Sequence, residues 1–429
     1  MPSSGPADAL VLGGGVVGIC AALYLQRTGR SVTVLERSFP GAGASGHNGG
    51  AFSVGDCAPI ATPGIARTVP RMLRDPLSPF AISWPYLPRI SPWLVRFLLA
   101  GRRAEVERIA AGIAALMEAG LAAYRPLVTG GEAQQWLRPG GLLYGFATDE
   151  SFAAAQFGVG LRESQGLTFE LLDKAGIAEL DPLLDGRFRH GIYLPEAHHS
   201  PDPGEFTRAL ARTFVDGGGR IETTTATGFD RDGSIVRAVH TTTGRRSAAE
   251  VVLAAGAWSR RLAAQLGARI PLDTERGYGV QLPNAGFGLR FPVISGDYHF
   301  ALSPEPVGIR LVGTVEFAGL RAEARHERAR RLTLAAERIF PELRQDGSRW
   351  WMSYRPSMPD SLPVIGRSPR YDNAFLAVGH GHRGMAQAAI TGRLVQELAD
   401  DVAPSLDLAP YRPDRFRLAR RPAQRVAVE

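Results

Sequence analysis

Residues 9–36 read ALVLGGGVVGICAALYLQRTGRSVTVLE, and this stretch decides the fold class. The apolar run at residues 9–12 predicts a short buried strand, and the dense apolar residues of 16–28 predict a helix. Residues 31–36, in which Val32 and Val34 alternate with their neighbours, predict a second strand. Strand, helix and strand in this order form one βαβ unit, which indicates an α/β protein with a parallel sheet.

Three glycines mark the turn between the first strand and the helix: Gly13, Gly15 and Gly18. The first permits a tight turn, the second lets the backbone approach a pyrophosphate, and the third lets the helix pack closely on the strand. Glu36 ends the second strand about 20 residues later, where a carboxylate binds ribose hydroxyls. We therefore expect the pyrophosphate of a dinucleotide at the N-terminus of the helix, beside Val16 and Val17.

The loop after the second strand separates two kinds of dinucleotide. It reads GAGASGHNGG (residues 41–50), and such a loop runs close to a ligand without side-chain clashes. A nicotinamide dehydrogenase has little need for it, although an NAD(P) enzyme remains the alternative. FAD is longer, and its isoalloxazine lies beyond the ribose site. We therefore predict FAD, bound in this region by Arg37, Ser45, His47, Asn48 and Gly49.

Two later segments also have the character of cofactor-binding backbone. Residues 251–259 read VVLAAGAWS, a hydrophobic strand that ends in small residues. Residues 379–385 read GHGHRGM and place glycines between a strand and a helix, whose N-terminus would stabilise negative charge on a reduced flavin. The predicted cofactor contacts here are Gly256, Gly381, His382, Arg383, Gly384 and Met385.

The spacing of these motifs predicts a cofactor domain assembled from separate segments. The chain has 429 residues, which suits two domains. We expect a Rossmann-type FAD-binding domain and a substrate domain with a mixed, largely antiparallel sheet. The FAD domain is predicted to comprise residues 1–60, 165–270 and 355–408. The substrate domain would comprise residues 61–164 and 271–354, and a basic tail would follow at 409–429.

Composition and charge limit the classes of partner and ligand that we expect for this chain. The net charge is +7, carried almost wholly by arginine, but no basic stretch is interleaved with aromatics, so we expect no nucleic-acid partner. Two cysteines give neither a disulfide scaffold nor zinc-ligand spacing, so no metal is expected. No membrane-spanning helix is readable, and a cytoplasmic location follows as the simplest expectation. The apolar residues 84–99 and the arginines after Pro410 are candidates for peripheral contact with the inner face of a membrane.

Further motifs carry a family resemblance. The segments are DPLSP (75–79), ERGY (275–278), GTVEFAG (313–319) and RPSMPDSLPVIG (355–366), together with residues 379–385. With them the chain resembles the FAD-dependent amino-acid oxidoreductases, which include D-amino-acid oxidase, glycine oxidase and, most similar to it, bacterial D-amino-acid dehydrogenase. The resemblance implies oxidative deamination of a D-amino acid to the 2-oxo acid and ammonia. Hydride would pass to flavin N5, and the electrons to a quinone-type acceptor.

The same resemblance implies roles for individual residues. Arg355 matches the family arginine that grips the substrate carboxylate, and a guanidinium offers two parallel donors for that purpose. Tyr278 resembles a tyrosine on the substrate side, and His382 joins these two as a predicted catalytic residue. Tyr298 and His299 are weaker candidates.

Alternatives to this reading stay open at the sequence level. His47, its neighbour Gly46 and Arg383 depart from the dehydrogenase pattern. They leave a secondary amine of sarcosine, opine or D-hydroxyproline type as an alternative substrate. His47 also lies where some amine dehydrogenases of similar fold link flavin covalently. A non-catalytic flavin-binding subunit is a third reading.

Overall fold

The computed structural model describes residues 7–67, 78 and 80–416, which contain both helices and strands. The first elements are β1 (Ala7–Leu12), α1 (Val16–Arg27), β2 (Val32–Glu36), β3 (Ala51–Phe52), β4 (Phe80–Ile82), α2 (Leu87–Ala100), α3 (Arg103–Val128), β5 (Arg138–Pro139), β6 (Leu142–Phe146) and α4 (Asp149–Ser164). Next come β7 (Glu170–Asp173), α5 (Lys174–Leu180), β8 (His190–Leu194), β9 (His198–His199), α6 (Pro203–Asp216), β10 (Arg220–Thr223), β11 (Ala226–Asp232), β12 (Ile235–Thr241), β13 (Gly244–Leu253) and α7 (Ser259–Gln265). The last are β14 (Asp273–Leu282), β15 (Val293–Ser295), β16 (Phe300–Pro304), β17 (Ile309–Phe317), α8 (His326–Glu337), β18 (Arg349–Ser357), β19 (Val364–Arg367), β20 (Ala374–Val378) and α9 (Gly384–Ala399).

The first sheet is parallel at its centre and comes from separate parts of the chain. Its parallel strands lie in the order β10, β2, β1, β13 and β20, and β19 pairs antiparallel with β20 at the edge. The N-terminal half of β13 instead pairs antiparallel with β12, which pairs with β11. The predicted βαβ unit and the Rossmann-type sheet from non-contiguous segments are thereby confirmed.

Two apolar layers cover this sheet because its strands are hydrophobic on both faces, as buried parallel strands are. On one face, Val11 and Val34 pack in a cluster with buried residues of α1, α3, α6 and α9. On the other, Leu10 and Leu35 pack against β11, β12 and α7. The sheet is therefore the middle layer of three.

The second sheet runs in the order β18, β14, β17, β16, β15, β6, β8 and β7, with β4 beside β17. Its pairs are antiparallel except for β15 with β6 and β17 with β4. This confirms the expected mixed, largely antiparallel sheet. A small third sheet joins β3, β9 and β5.

The organisation of the chain differs from the sequence expectations in two places. Strands β7 and β8 pair with the second sheet, although residues 165–270 were expected in the FAD-binding domain. Helix α3 packs in the cluster of α1 and α9, although residues 61–164 were expected in the other domain. Helices α2 and α3 are separate, because Gly101 ends α2 and Arg102 adopts extended backbone (φ −71°, ψ 140°) before α3.

The first part of the predicted basic tail is packed on the protein. Arg415 pairs with Asp360, with 2.8 Å between Nε and Oδ2, and the Tyr411 hydroxyl donates to the Gly112 carbonyl at 2.5 Å. The arginines after Phe416 lie outside the described residues.

Helices α1 and α9 cross closely at Gly392, and this crossing gives a test of the packing. A Cβ at Gly392 would lie 2.7 Å from the backbone carbonyl carbon and oxygen of Cys20. We expect Gly392→Ala to lower the free energy of unfolding by about 1–3 kcal/mol, because neither backbone has room to give way. The matched control is Gly160→Ala in α4, where a Cβ meets open space. It should be neutral or stabilising by up to about 1 kcal/mol. Equal melting temperatures for the two variants would contradict this account of the crossing.

Candidate active site

A cavity of about 400 Å³ lies at the carboxyl edge of the first sheet. Its wall includes the residues that follow β1, β2, β10, β13 and β20, all parallel neighbours. The carboxyl ends of parallel strands are where open α/β sheets bind ligands. The strand order therefore places the predicted motifs in one site.

The glycine turn after β1 is compact because no Cβ fits within it. Gly13 has φ +116°, and a Cβ there would lie 2.5 Å from the Ala254 carbonyl oxygen. A Cβ on Gly18 would collide with the Gly13 carbonyl oxygen, so Gly18 serves the packing of α1 on β1 and does not line the cavity. Gly15 faces the cavity opposite Ser45, whose Oγ accepts the Val16 N–H at 2.9 Å. This leaves an open cradle at the N-terminus of α1.

Glu36 forms the wall beside that cradle. Its Oε2 accepts the Gly14 N–H at 2.6 Å, and its Oε1 accepts the Ser38 N–H at 3.0 Å. Next to it, the Arg37 guanidinium lies 3.4 Å from the centroid of the Trp258 ring. A carboxylate that accepts hydrogen bonds from ribose hydroxyls, next to a glycine cradle that approaches a pyrophosphate, is the combination that a dinucleotide requires.

Most of the predicted cofactor residues meet at this cavity. Those that line it are Gly13, Gly15, Val16, Val17, Glu36, Arg37, Ser45, His47, Asn48, Gly256, Gly381, His382, Gly384 and Met385. His47 presents its Nδ1 to the Gly43 carbonyl oxygen at 3.1 Å, and its ring lies 6.0 Å from that of Trp351. A covalent flavin link at His47 stays a prediction.

Gly49 and Arg383 were predicted to contact the cofactor, and the structure places both outside the cavity wall. The Gly49 carbonyl accepts the Ser303 hydroxyl at 2.7 Å. Arg383 donates from Nη2 to Asp56 Oδ2 at 2.9 Å, and Arg162 holds the other oxygen at 3.0 Å. Burial alone would raise the pKa of Asp56, but the two guanidinium charges outweigh it and hold that pKa below its usual value. The side chain of Arg383 is therefore committed to a buried ion pair.

Arg355 lines the cavity from the end of β18. Its Nη1 donates to the Thr314 carbonyl at 2.7 Å and its Nη2 to the Gly313 carbonyl at 3.3 Å. Burial lowers the pKa of this guanidinium, and the nearby Glu275 carboxylate opposes that effect. A guanidinium has five N–H donors, and two of them bond to described residues, which leaves three for a ligand within the part of the chain that the structure describes.

Glu275 stands directly opposite Arg355 on β14 and also meets His382. The distance from Glu275 Oε2 to His382 Nε2 is 2.5 Å. One buried carboxylate thus joins Arg355 and His382, two of the three residues predicted to be catalytic. Glu275 was not among the site residues predicted from the sequence.

Tyr278 is the third residue that was predicted to be catalytic. It does not line the cavity, which corrects the expectation of a residue on the substrate side. Alternate side chains of a strand point to opposite faces, so Tyr278 faces away from Glu275. Its hydroxyl donates to Glu316 Oε2 at 2.8 Å and accepts the Arg325 N–H at 3.0 Å. Arg276 donates to the same Glu316 oxygen, so this face holds a buried ionic network. Tyr298 and His299 also lie outside the cavity wall.

Several lining residues escaped the sequence analysis. The segment 224–227 follows β10, and the Thr224 N–H donates to the Glu36 carbonyl at 2.8 Å. The sequence signal that could have revealed this segment was the short strand β10, because a third parallel strand must also bring its carboxyl end to the cavity. His380 lines the cavity as well, but its Nε2 is bonded to Thr391 Oγ1 at 2.9 Å, and burial lowers its pKa to about 3.

Comparisons with known proteins agree with this geometry. The family model described as FAD dependent oxidoreductase matches residues 8–398. A D-amino-acid oxidase of Bradyrhizobium diazoefficiens is 36% identical over 413 residues, covering 95% of this chain and 98% of that protein. A D-amino acid dehydrogenase of Granulibacter bethesdensis is 30% identical over 412 residues, covering 93% and 97%.

A glycine oxidase structure from Geobacillus kaustophilus superposes with a TM-score of 0.70 at 24% identity, covering 95% of this chain and 98% of that one, and it shows the shared fold. The match to the family model confirms the prediction that the cofactor is FAD and not NAD(P). This chain belongs to the family of FAD-dependent oxidoreductases, and FAD is its cofactor.

Proposed function

We propose that this chain oxidatively deaminates a D-amino acid to the 2-oxo acid and ammonia and passes the electrons to a quinone-type acceptor. The observation that carries the proposal is the position of Arg355, a half-buried cation in the wall of the cofactor cavity. The names of the relatives, D-amino-acid oxidase and D-amino acid dehydrogenase, support the substrate class.

The cavity wall fits FAD in its shape and its charges. The open cradle at Gly15 and the N-terminus of α1 would hold the pyrophosphate, and Glu36 would hold a ribose. The loop that includes Ser45 and the loop before α9 would hold the remainder, with the N-terminus of α9 contributing partial positive charge to the wall. When bound, FAD supplies the two-electron acceptor for the hydride that leaves the substrate Cα.

The chain's own contribution to substrate binding centres on Arg355. The carbonyls of Thr314 and Gly313 hold its guanidinium, so little side-chain freedom is lost when a ligand binds. Its free N–H groups would grip the substrate carboxylate in a charge-assisted contact. Such a contact fixes Cα relative to the cavity wall, which is the orientation that hydride transfer needs.

A surface feature supports a membrane-bound acceptor. Among residues 7–67, 78 and 80–416, no helix combines the length and apolar character needed to cross a membrane. Trp84, however, exposes 73% of its surface, and on α2 Val95 exposes 56%, with Leu98 and Leu99 also open to solvent. The two arginines of α2 are exposed as well, and arginines near exposed apolar side chains favour an anionic membrane surface. Trp93, from the same predicted stretch, is core.

The first prediction concerns the cofactor cradle. Gly15→Val should remove the flavin absorbance of the purified protein, because a branched side chain would fill the pyrophosphate position. Gly288→Val makes the same change where a Cβ meets open space, and should keep the spectrum. A Gly15→Val protein with wild-type flavin content would show that the cradle does not bind the cofactor.

The second concerns Arg355. Arg355→Ala should lower kcat/KM for a D-amino acid by about 30- to 1000-fold, and Arg355→Lys should recover little because lysine lacks the fork. The matched control is Arg349→Ala, an exposed arginine at the far end of β18. Flavin content should stay constant throughout. Near-normal kinetics in Arg355→Ala would exclude the carboxylate role, and faster turnover of secondary amines than of D-amino acids would change the substrate class.

The third concerns the acceptor. We expect fast turnover with a quinone analogue, slow reaction with oxygen, and binding to anionic vesicles that weakens as salt rises. Trp84→Glu should reduce vesicle binding, whereas Val402→Glu, also at an exposed apolar position, should not. Rapid hydrogen peroxide production without vesicle binding would make the chain an oxidase, as its 36% identical relative is named.

A further inference from the structure

Glu275 and His382 form a pair of a buried carboxylate and an imidazole in the wall of the cofactor cavity. Glu275 comes from β14 and is 2% exposed, while His382 comes from the loop before α9 and exposes 35% of its side chain to the cavity. The short contact between Oε2 and Nε2 fixes the plane and the direction of the imidazole. A buried carboxylate therefore holds the Nε2 side of the imidazole, and part of the ring is exposed to the cavity.

This arrangement differs from the other histidine–carboxylate pairs of the described residues. His190 pairs with Asp149, and His240 pairs with Asp230, but the carboxylate side chains there are 71% and 38% exposed. Water screens such pairs, and they contribute little. Glu275 is buried away from water, so solvent screens the effect of its charge on His382 very little.

The charged groups around His382 set its protonation state. Burial and the positive charge of Arg355, on β18, lower the pKa of His382, and Arg383 on the same loop lowers it further. Glu275, on β14, acts in the opposite direction. Burial would raise the pKa of Glu275, but His382 and Arg355 outweigh it and keep that pKa low. His382 is then neutral at pH 7 and donates its Nε2 hydrogen to ionised Glu275.

A neutral imidazole that donates from Nε2 has a lone pair on Nδ1. Within the part of the chain that the structure describes, no hydrogen bond is formed by this Nδ1. Amine oxidation needs such an acceptor, because an amino acid reaches the enzyme mainly as an ammonium ion. That ion has no lone pair with which to form a C=N bond.

We propose that His382, held in place by Glu275, is the general base that deprotonates the substrate ammonium group. The inference rests on the proposed amino-acid oxidation. An N–H bond of the ammonium breaks, its proton bonds to Nδ1 of His382, and the electron pair stays on the substrate nitrogen. That pair forms the C=N bond as the hydride leaves Cα. Glu275 is a positioning residue: it fixes the tautomer and stabilises the imidazolium, which releases its proton to solvent after the product departs.

The test is the pH dependence of kcat/KM for a D-amino acid, measured on flavin-loaded enzyme. Wild-type kcat/KM should rise with the loss of one proton, as His382 becomes neutral, and then level off. His382→Gln should lack this rise and fall about 100-fold or more at neutral pH. Its activity should recover towards high pH, where the substrate itself supplies neutral amine. A variant that keeps the wild-type rise, or is slower by one factor at every pH, would overturn the proposal.

Two further variants complete the design. Glu275→Gln removes the charge that raises the pKa of His382, so its rise in kcat/KM should move to lower pH and its plateau should drop as the base weakens. His240→Gln breaks a surface pair of similar composition and should leave the profile unchanged. A Glu275→Gln profile that moves to higher pH would contradict the assigned orientation.

Acetate binding separates this proposal from the proposed function, since acetate carries a carboxylate and no amine. Followed through the flavin spectrum above the pKa of His382, acetate binding should be lost in Arg355→Ala and retained in His382→Gln. If Arg355→Ala binds acetate normally, the proposed function fails. If His382→Gln loses acetate binding, His382 is a carboxylate ligand and the base assignment fails.

Discussion

The structure depends on one close approach of backbone to backbone, at the end of β1. Gly13 lies against the carbonyl of Ala254 on one side, and Gly18 lies against the carbonyl of Gly13 on the other. Strand β1, the end of β13 and helix α1 therefore meet with no side chain between them. This contact fixes the direction in which α1 leaves β1, with the N-terminus of the helix at the cavity. A larger residue here would displace all three elements together, because interiors packed at this density cannot absorb even one methyl group.

A second constraint is an irregularity in the pairing of the second sheet, which lies next to the same cavity. Strand β17 is irregular opposite β14 between Gly313 and Glu316, and Thr314 adopts a left-handed backbone with φ +63°. A β-branched residue rarely takes that conformation, so the position is strained. In this strained conformation the carbonyls of Gly313 and Thr314 both accept hydrogen bonds from the Arg355 guanidinium. The Arg355 guanidinium is therefore positioned by backbone that the second sheet holds in an unfavourable conformation.

Sequence reasoning succeeded where the signal was local. The glycine turn, the flanking strands and the carboxylate of Glu36 lie within one βαβ unit, and each has a direct physical meaning there. It failed where a role depended on partners far along the chain. Arg383 reads as a loop cation, yet it pairs with Asp56, 327 residues away. Tyr278 was placed on the wrong face because the strand's phase relative to the cavity is set by its pairing with β18. Glu275 escaped notice for a related reason, since its importance arises only when β14, β18 and the loop before α9 come together.

The order of the cavity's parts along the chain has a consequence for how the enzyme comes to exist. The first residue of the wall along the chain is Leu12 and the last is Met385, so nearly the whole chain must be synthesised before the cavity can close. Contacts of such long sequence separation form slowly, because the entropy of closing large loops is lost before the contacts form. During that interval β1 and β2 have apolar faces that α9 does not yet cover. Cofactor capture is therefore a late event of biogenesis, and a supply of free FAD would act as a folding aid by drawing nearly complete chains into the native state.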